Sequence, residues 1–194
     1  MAASASARGR VGCSPESSMK IRTYVRCPRG FMSLPKRRYV QEAPVLRFLP
    51  VLIRPFVAND IPAVSSITRE ALRENYPTSL YLEIHRWWRE GFLVAEMNGN
   101  PIGFLAAVMP GDGQARILML AVAEGFRSRG IGTLLMNHFV QTCGTRGLRR
   151  IELEVRVSNA AAQRFYRRFG FETLNVLPKF YTDGEDGYKM VRHL

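Results

Sequence analysis

The sequence predicts a mixed α/β (α+β) domain over residues 49–194, preceded by a basic extension over residues 1–48. An apolar strand, Ile117 to Val122, runs into a turn rich in Arg and Gly, and apolar residues at helical spacing follow over 131–139. A second alternating strand over 151–157 is again followed by a helical pattern. Strands that alternate with helices predict a sheet with helices packed on it.

The domain is predicted to begin with a short apolar strand over 51–55. A first helix follows, with Asn59 and Asp60 as its capping residues and Pro62 in its first turn. This helix should end before Tyr76–Pro77, because the residue ahead of a proline disfavours helical geometry. The loop at its end is therefore expected near residue 76.

A second helix and a hairpin are predicted next. The helix spans 80–90, and the hairpin strands span 91–97 and 102–109 around the turn sequence Asn98-Gly99-Asn100-Pro101. One side of the helix carries the apolar residues that should face the core. They are Tyr81, Ile84, Trp87 and Trp88.

The turn after the Ile117–Val122 strand has the composition of a phosphate site. The first N–H groups of a helix lack partners within it, and the helix dipole places partial positive charge there. Arg127 to Gly132 can therefore wrap a pyrophosphate, and the missing Cβ atoms of Gly130 and Gly132 allow close approach of the main chain. The alternative is that these six residues form an ordinary strand-to-helix turn whose arginines are solvated.

Three further segments resemble one family. Together with Arg127–Gly132, the segments Leu153–Asn159 (LEVRVSN), Phe165–Phe171 (FYRRFGF) and Lys179–Tyr188 (KFYTDGEDGY) are similar to the GNAT superfamily of N-acetyltransferases. Within it they look most like the ribosomal-protein-alanine and archaeal-type protein N-terminal α-acetyltransferases. The resemblance covers about residues 51–194 and implies a mixed, mostly antiparallel sheet of about seven strands, with a splayed fourth and fifth strand and about four helices.

The resemblance implies acetyl-coenzyme A as the cosubstrate, bound by the glycine turn and by the main chain at the end of the preceding strand. The strand would bind the pantetheine arm as an added strand would, and one N–H group would polarise the acetyl carbonyl. Asn159 would contact the pantetheine or thioester. The other implied contacts are Leu120, Ala121, Val122, Arg127, Ser128, Arg129, Gly130, Ile131, Gly132 and Thr133.

The resemblance also implies Glu154 as general base and Tyr166 as general acid. Strand periodicity alone places Glu154 on the polar face with Glu152 and Arg156, so a solvated carboxylate is the alternative. Tyr166 lies at the edge of the apolar stripe of a helix for which Ser158 is the expected cap. Its alternative is a boundary tyrosine whose hydroxyl meets a backbone carbonyl.

Substrate contacts are implied for Glu74, Tyr76 and Tyr181, with a protein or peptide N-terminus as acceptor. Deprotonating an α-amine with a pKa of 7.7 to 8.0 costs about 1 to 1.4 kcal/mol at pH 7, against roughly 4.6 for lysine. A lone carboxylate base therefore favours an N-terminal amine. The relatives commonly carry Tyr-Tyr where this chain has Phe180-Tyr181, so one hydroxyl is missing.

The net charge of +12 is concentrated in the extension, because residues 1–50 hold ten Arg or Lys and only two acids. A disordered, solvated tail is favoured over a ribosome- or nucleic-acid-contacting arm, since no aromatic interleaving supports a binding surface. The composition of the extension also resembles that of an organellar transit peptide. It would look the same if the true start of the protein were Met19 or Met32.

Widely spaced cysteines, Cys13, Cys27 and Cys143, suggest neither a disulfide framework nor a zinc site, and Cys143 is expected to be a buried free thiol. No metal-ligand cluster or apolar run long enough for a bilayer is present in the sequence. A soluble cytoplasmic protein is the expectation, with organellar targeting left open.

The sequence is compatible with three functions. The first is an N-terminal acetyltransferase that works by direct attack in a ternary complex. The second keeps the fold and the donor but acetylates a small-molecule amine or a lysine side chain. The third is a basic adaptor that binds acetyl-coenzyme A or RNA without turnover and predicts salt-sensitive nucleic-acid binding.

Overall fold

The computed structural model describes residues 50–111 and 113–194, and the basic extension over 1–48 lies outside them. The described residues form a mixed α/β fold with seven strands and four α-helices, as predicted. The strands are β1 (Leu52–Pro55), β2 (Phe92–Met97), β3 (Asn100–Gly111), β4 (Gln114–Val122), β5 (Arg150–Arg156), β6 (Glu172–Leu177) and β7 (Gly187–His193). The helices are α1 (Ile61–Leu72), α2 (Thr78–Trp87), α3 (Ile131–Thr145) and α4 (Ala160–Arg168).

All seven strands belong to one sheet, in the order β1-β2-β3-β4-β5-β7-β6. Every neighbouring pair is antiparallel except β4 and β5, which run parallel. A parallel pair needs a crossover connection, and α3 supplies it between β4 and β5. The mixed, mostly antiparallel sheet is therefore confirmed.

Apolar side chains form two buried clusters, one on each face of the sheet. The first cluster contains Leu135, Phe139 and Cys143 of α3, with α4 packed against it through Phe165. The second contains Val64 and Ile67 of α1 together with Tyr81 and Ile84 of α2. The sheet is thus covered on both faces, as the hydrophobic patterns of its helices require. Burial raises the pKa of the Cys143 thiol to about 12.

A β-bulge at Leu118 changes which residues of β4 face each cluster. Met119 is paired with Ala106, whereas Ile117 is paired with the next residue, Ala107, so β4 holds one extra residue. Ile117 and Leu120 contact the α3 side, while Met119 lies on the α1 and α2 side. The bulge therefore shifts the alternation just before the strand end that was predicted to bind ligand.

Two details of the helix predictions were wrong. α2 ends at Trp87, three residues before the expected end, and the chain becomes extended at Trp88. Consequently Trp88 turns into the core with 1% exposure, whereas Trp87, which was predicted to be buried, is 67% exposed. Ser158 is not the cap of α4, because Asn159 occupies that position and its side chain accepts a hydrogen bond from the Ala162 N–H at 3.0 Å.

Asp60 lies at the start of α1 as predicted, but its side chain does not cap the helix. The carboxylate instead pairs with Arg54, at 2.7 Å and 2.8 Å, and accepts a hydrogen bond from the Val57 N–H. These bonds hold the pKa of Asp60 below its usual value against the opposing effect of burial. Asp60 therefore fastens β1 to the start of α1.

Gly91 lies against the ring of Trp88, so a side chain at position 91 is expected to destabilise the domain. A Cβ at Gly91 would overlap the indole ring of Trp88, which is buried. Because the ring cannot move into solvent, Gly91→Ala should lower the free energy of unfolding by about 1 to 3 kcal/mol. Urea denaturation measures this. Gly125→Ala is the matched control, because Gly125 also lies in a short 3-10 helix and has no atom within 4 Å of its would-be Cβ; equal effects would contradict the prediction.

Candidate active site

The central feature is an opening between β4 and β5. Their pairing runs from Gln114–Arg150 to Ile117–Leu153 and stops there, although β4 continues to Val122 and β5 to Arg156. We call the space between Leu118–Val122 and Glu154–Arg156 the β4–β5 gap. Backbone groups of β4 that face the gap lack a partner on β5, so an extended ligand can pair with them as an added strand does.

The first turn of α3 lies beside the end of β4. Gly103 of β3 permits this contact, since a Cβ there would come within 3.0 Å of the Ala121 carbonyl and 3.4 Å of Ile131 Cγ2. The helix begins after Gly130, whose φ of +81° is a left-handed conformation suited to glycine. The N-cap residue Gly130 has no side chain that could cap this helix start. Its free N–H groups therefore remain available to an anion.

The arginine turn is tied to the same strand end. Arg127 Nε donates a hydrogen bond to the Val122 carbonyl at 3.1 Å, and Arg129 lies 5.6 Å from the ring centroid of Phe126. The residues from Arg127 to Gly130 are exposed, so their charges can meet a solvent-borne phosphate. On the far side, Gly132 faces Phe165 of α4, whose ring would lie 3.5 Å from a Cβ at that position.

Glu154 is the first residue of β5 beyond the paired segment. Its neighbours Leu153 and Val155 belong to the α3-side cluster, so alternation directs Glu154 to the α1 and α2 side. The side chain is only 11% exposed, and Oε2 accepts a hydrogen bond from Arg116 Nε at 3.0 Å. The Glu154 carboxylate is therefore largely buried and paired with Arg116, and not solvated.

Tyr166 lies on the α3 side of the sheet, opposite to the side that Glu154 faces. It packs against the α3-side cluster, whereas Tyr76 packs against the cluster under α1 and α2. Burial raises the pKa of Tyr166 above the ordinary tyrosine value, and the nearby Tyr181 hydroxyl adds to this effect. The phenol therefore stays protonated at neutral pH and can act as a proton donor.

Tyr181 connects the remaining predicted residues. Burial raises its pKa to about 12; the Arg156 guanidinium opposes the rise, whereas nearby Glu154 and Tyr76 add to it. Burial also raises the pKa of Tyr76, with a contribution from the neighbouring Glu74 carboxylate. Because charge interactions weaken with distance, Tyr181 lies near Tyr76, Glu154 and Tyr166, and Glu74 lies near Tyr76.

The segment that carries Tyr181 is fastened to β5 by Arg156. The guanidinium Nη1 contacts Asp183 and Glu185 at 2.7 Å each and lies 4.0 Å from the Tyr181 ring centroid. Glu185 also accepts a hydrogen bond from the Ser158 N–H at 2.9 Å. Hydrogen bonds from Ser158 and the ion pair with Arg156 lower the pKa of Glu185 to about 2. Because the pKa of Asp183 is also lowered, both carboxylates are ionised at neutral pH and can pair with Arg156.

A family model described as "Acetyltransferase (GNAT) family" matches residues 61–171. The chain belongs to the GNAT family of acetyltransferases. This finding confirms the resemblance, and the enzyme is an acetyltransferase.

The relatives of this GNAT enzyme align with it over almost their whole length. An uncharacterized N-acetyltransferase of Methanocaldococcus jannaschii is 40% identical and covers 73% of this chain and 91% of its own. An N-alpha-acetyltransferase of Sulfolobus acidocaldarius is 34% identical, with 73% and 92% covered. The crystal structure of Ard1 from Thermoplasma volcanium is 38% identical, covers 74% and 97%, and superposes with a TM-score of 0.72. The unmatched part of the chain corresponds in size to the N-terminal extension.

Asn159 occupies a position at the start of α4, where its Oδ1 caps the helix. Among the described residues its amide NH₂ group has no hydrogen-bond partner and can donate to a ligand. Sequence reasoning on this GNAT enzyme missed two arginines, Arg116 and Arg156, that contact the predicted site residues. Both occupy alternating polar positions on strands next to the gap, and that pattern was the one available signal.

Within residues 50–111 and 113–194 no cluster of three or more His, Cys, Asp or Glu side chains could hold a metal ion, and no helix could cross a membrane.

Proposed function

We propose that this enzyme transfers the acetyl group of acetyl-coenzyme A to the N-terminal α-amine of a protein or peptide. One juxtaposition carries the proposal: the β4–β5 gap opens beside an arginine-flanked helix start with glycine at its N-cap, Glu154 is the first unpaired residue of β5, and Tyr166 packs on the α3 side of the sheet. The N-alpha-acetyltransferase names of archaeal relatives that are at least 30% identical support the choice of acceptor.

The residues of this chain supply each requirement of acetyl transfer. Glu154 takes a proton from the ammonium form of the acceptor, directly or through a water, and the neutral nitrogen then attacks the carbonyl carbon. A backbone N–H within Leu120–Val122 donates to the carbonyl oxygen as negative charge develops there. As the carbon–sulfur bond breaks, the Tyr166 hydroxyl protonates the departing sulfur. The nitrogen loses its second proton to solvent to give the amide, and Tyr166 regains a proton from solvent. No covalent link to the enzyme is formed.

The donor fits the residues that line the gap. Unpaired main-chain groups of β4 suit the amide groups of a pantetheine arm, and the start of α3 with Arg127 and Arg129 suits a diphosphate. The acceptor would enter from the α1 and α2 side, where Glu74, Tyr76 and Tyr181 lie. Donor and acceptor would thus meet at the gap from opposite faces of the sheet.

The test is acetylation of a library of short peptides by the purified enzyme with acetyl-coenzyme A, read by mass. Each peptide is offered with a free and with a blocked N-terminus, and each carries one internal lysine. We expect a single acetyl group on the free peptides, placed at the N-terminus by fragmentation, and none on the blocked ones. Acetylation that persists on blocked peptides would assign the enzyme to lysine side chains instead.

A further inference from the structure

We propose that Arg116 is the positioning residue of the general base: it holds the Glu154 carboxylate at the edge of the β4–β5 gap. This inference rests on the proposed function, since it concerns the residue assigned there as base. Arg116 Nε donates to Glu154 Oε2 at 3.0 Å. The other oxygen, Oε1, makes no hydrogen bond within the described part of the chain and is left for the acceptor amine or a water.

The strand geometry explains why an arginine at 116 reaches residue 154. Arg116 lies opposite Glu152 in the parallel β4–β5 register, so its side chain leaves the same face of the sheet as Glu152 and Glu154. Glu154 lies two residues further along β5, roughly 6.6 Å away along the strand. A long guanidinium side chain spans this distance, and it does so across the point where the two strands begin to separate.

The other cations on this face are engaged elsewhere. Arg150 and Lys189 both contact Glu152, at 2.8 Å each, although Lys189 is the register partner of Glu154 on β7. Arg156 is paired with the Tyr181 segment. Among the described residues, Arg116 therefore forms the one ion pair with Glu154.

The need for such a partner follows from burial. The Glu154 side chain is 11% exposed, and a carboxylate withdrawn from water is costly unless a charge or hydrogen bonds compensate it. Nearby Tyr181 carries a hydroxyl group rather than a positive charge, and Lys189, the register partner of Glu154, contacts Glu152 instead. Arg116 remains 38% exposed, so it supplies the compensating charge from the solvent side while the carboxylate faces the gap.

The test is a double-mutant cycle on kcat. We expect Arg116→Gln to lower kcat by about 10- to 10²-fold, because the base is misplaced, while KM for acetyl-coenzyme A changes less than about 2-fold. Arg116→Lys should recover part of the loss, since it keeps the charge but loses the fixed guanidinium geometry. In a Glu154→Gln background, Arg116→Gln should have less than about 2-fold further effect, because residue 154 can no longer act as a base whose position matters.

Each outcome bears on one assignment. Wild-type kcat in Arg116→Gln overturns the positioning role, and so does an undiminished loss in the Glu154→Gln background. Wild-type kcat in Glu154→Gln alone overturns the base assignment of the proposed function instead. Arg149→Gln is the control, because Arg149 is exposed and outside the site. Should Arg116→Gln fail to fold by urea denaturation, Arg116→Lys and its cycle with Glu154→Gln carry the same test.

Discussion

Glu154→Gln is expected to lower kcat by about 10²-fold or more while binding of acetyl-coenzyme A is retained. Glutamine keeps the size and one hydrogen-bond acceptor of the side chain but cannot take a proton. The hydrogen bond from Arg116 can persist on the amide oxygen, so the strand geometry should survive. Steady-state kinetics with a peptide acceptor, together with calorimetric titration of coenzyme A, separates the two effects.

The matched control for this variant is Glu172→Gln, which removes the charge of an exposed glutamate on β6. It should have wild-type kcat. If Glu154→Gln also turned over at the wild-type rate, the carboxylate would have no part in proton removal, and the base would have to be sought elsewhere in the site.

Tyr166→Phe is expected to lower kcat by about 10²-fold or more, because the departing sulfur loses its proton donor. Since burial raises the pKa of this phenol, the hydroxyl is protonated throughout the range of pH in which the enzyme would be assayed. The ring still packs on the α3-side cluster, so stability and donor affinity should change little. Single-turnover measurements at saturating acceptor report the chemical step.

Tyr188→Phe serves as the control for Tyr166→Phe. Tyr188 lies on β7 and packs against the same cluster, so it tests the loss of one hydroxyl without the loss of a proton donor. A rate for Tyr166→Phe equal to that of Tyr188→Phe would remove Tyr166 from the mechanism and leave it as a packing residue.

Local patterns predicted the elements around the site well. The hairpin of β2 and β3, the strand β4 and the helix after Gly130 each follow from short-range periodicity and turn residues. Helical periodicity misassigned Trp87 and Trp88 because it assumes that the helix continues. The chain leaves helical geometry at Trp88, whose φ of −155° directs the following side chains differently.

The contacts within the site were harder to predict because they join distant parts of the chain. Strand alternation placed Glu152 on a solvated face, but Arg150 and Lys189 pair with it and its side chain is 7% exposed. Arg116 and Glu154 are 38 residues apart, and only the parallel register brings them together. The predicted positions of Glu74, Tyr76 and Tyr181 came from family likeness, and no local pattern supplies them.

The sheet has two parts, β1–β4 and β5–β7, which pair with each other through four residue pairs of β4 and β5. Beyond Ile117 and Leu153 these two strands do not pair, and the surrounding helices and loops hold the two parts together. We expect a ligand that pairs with the free edge of β4 to stabilise the domain, because binding to the folded state alone shifts the folding equilibrium.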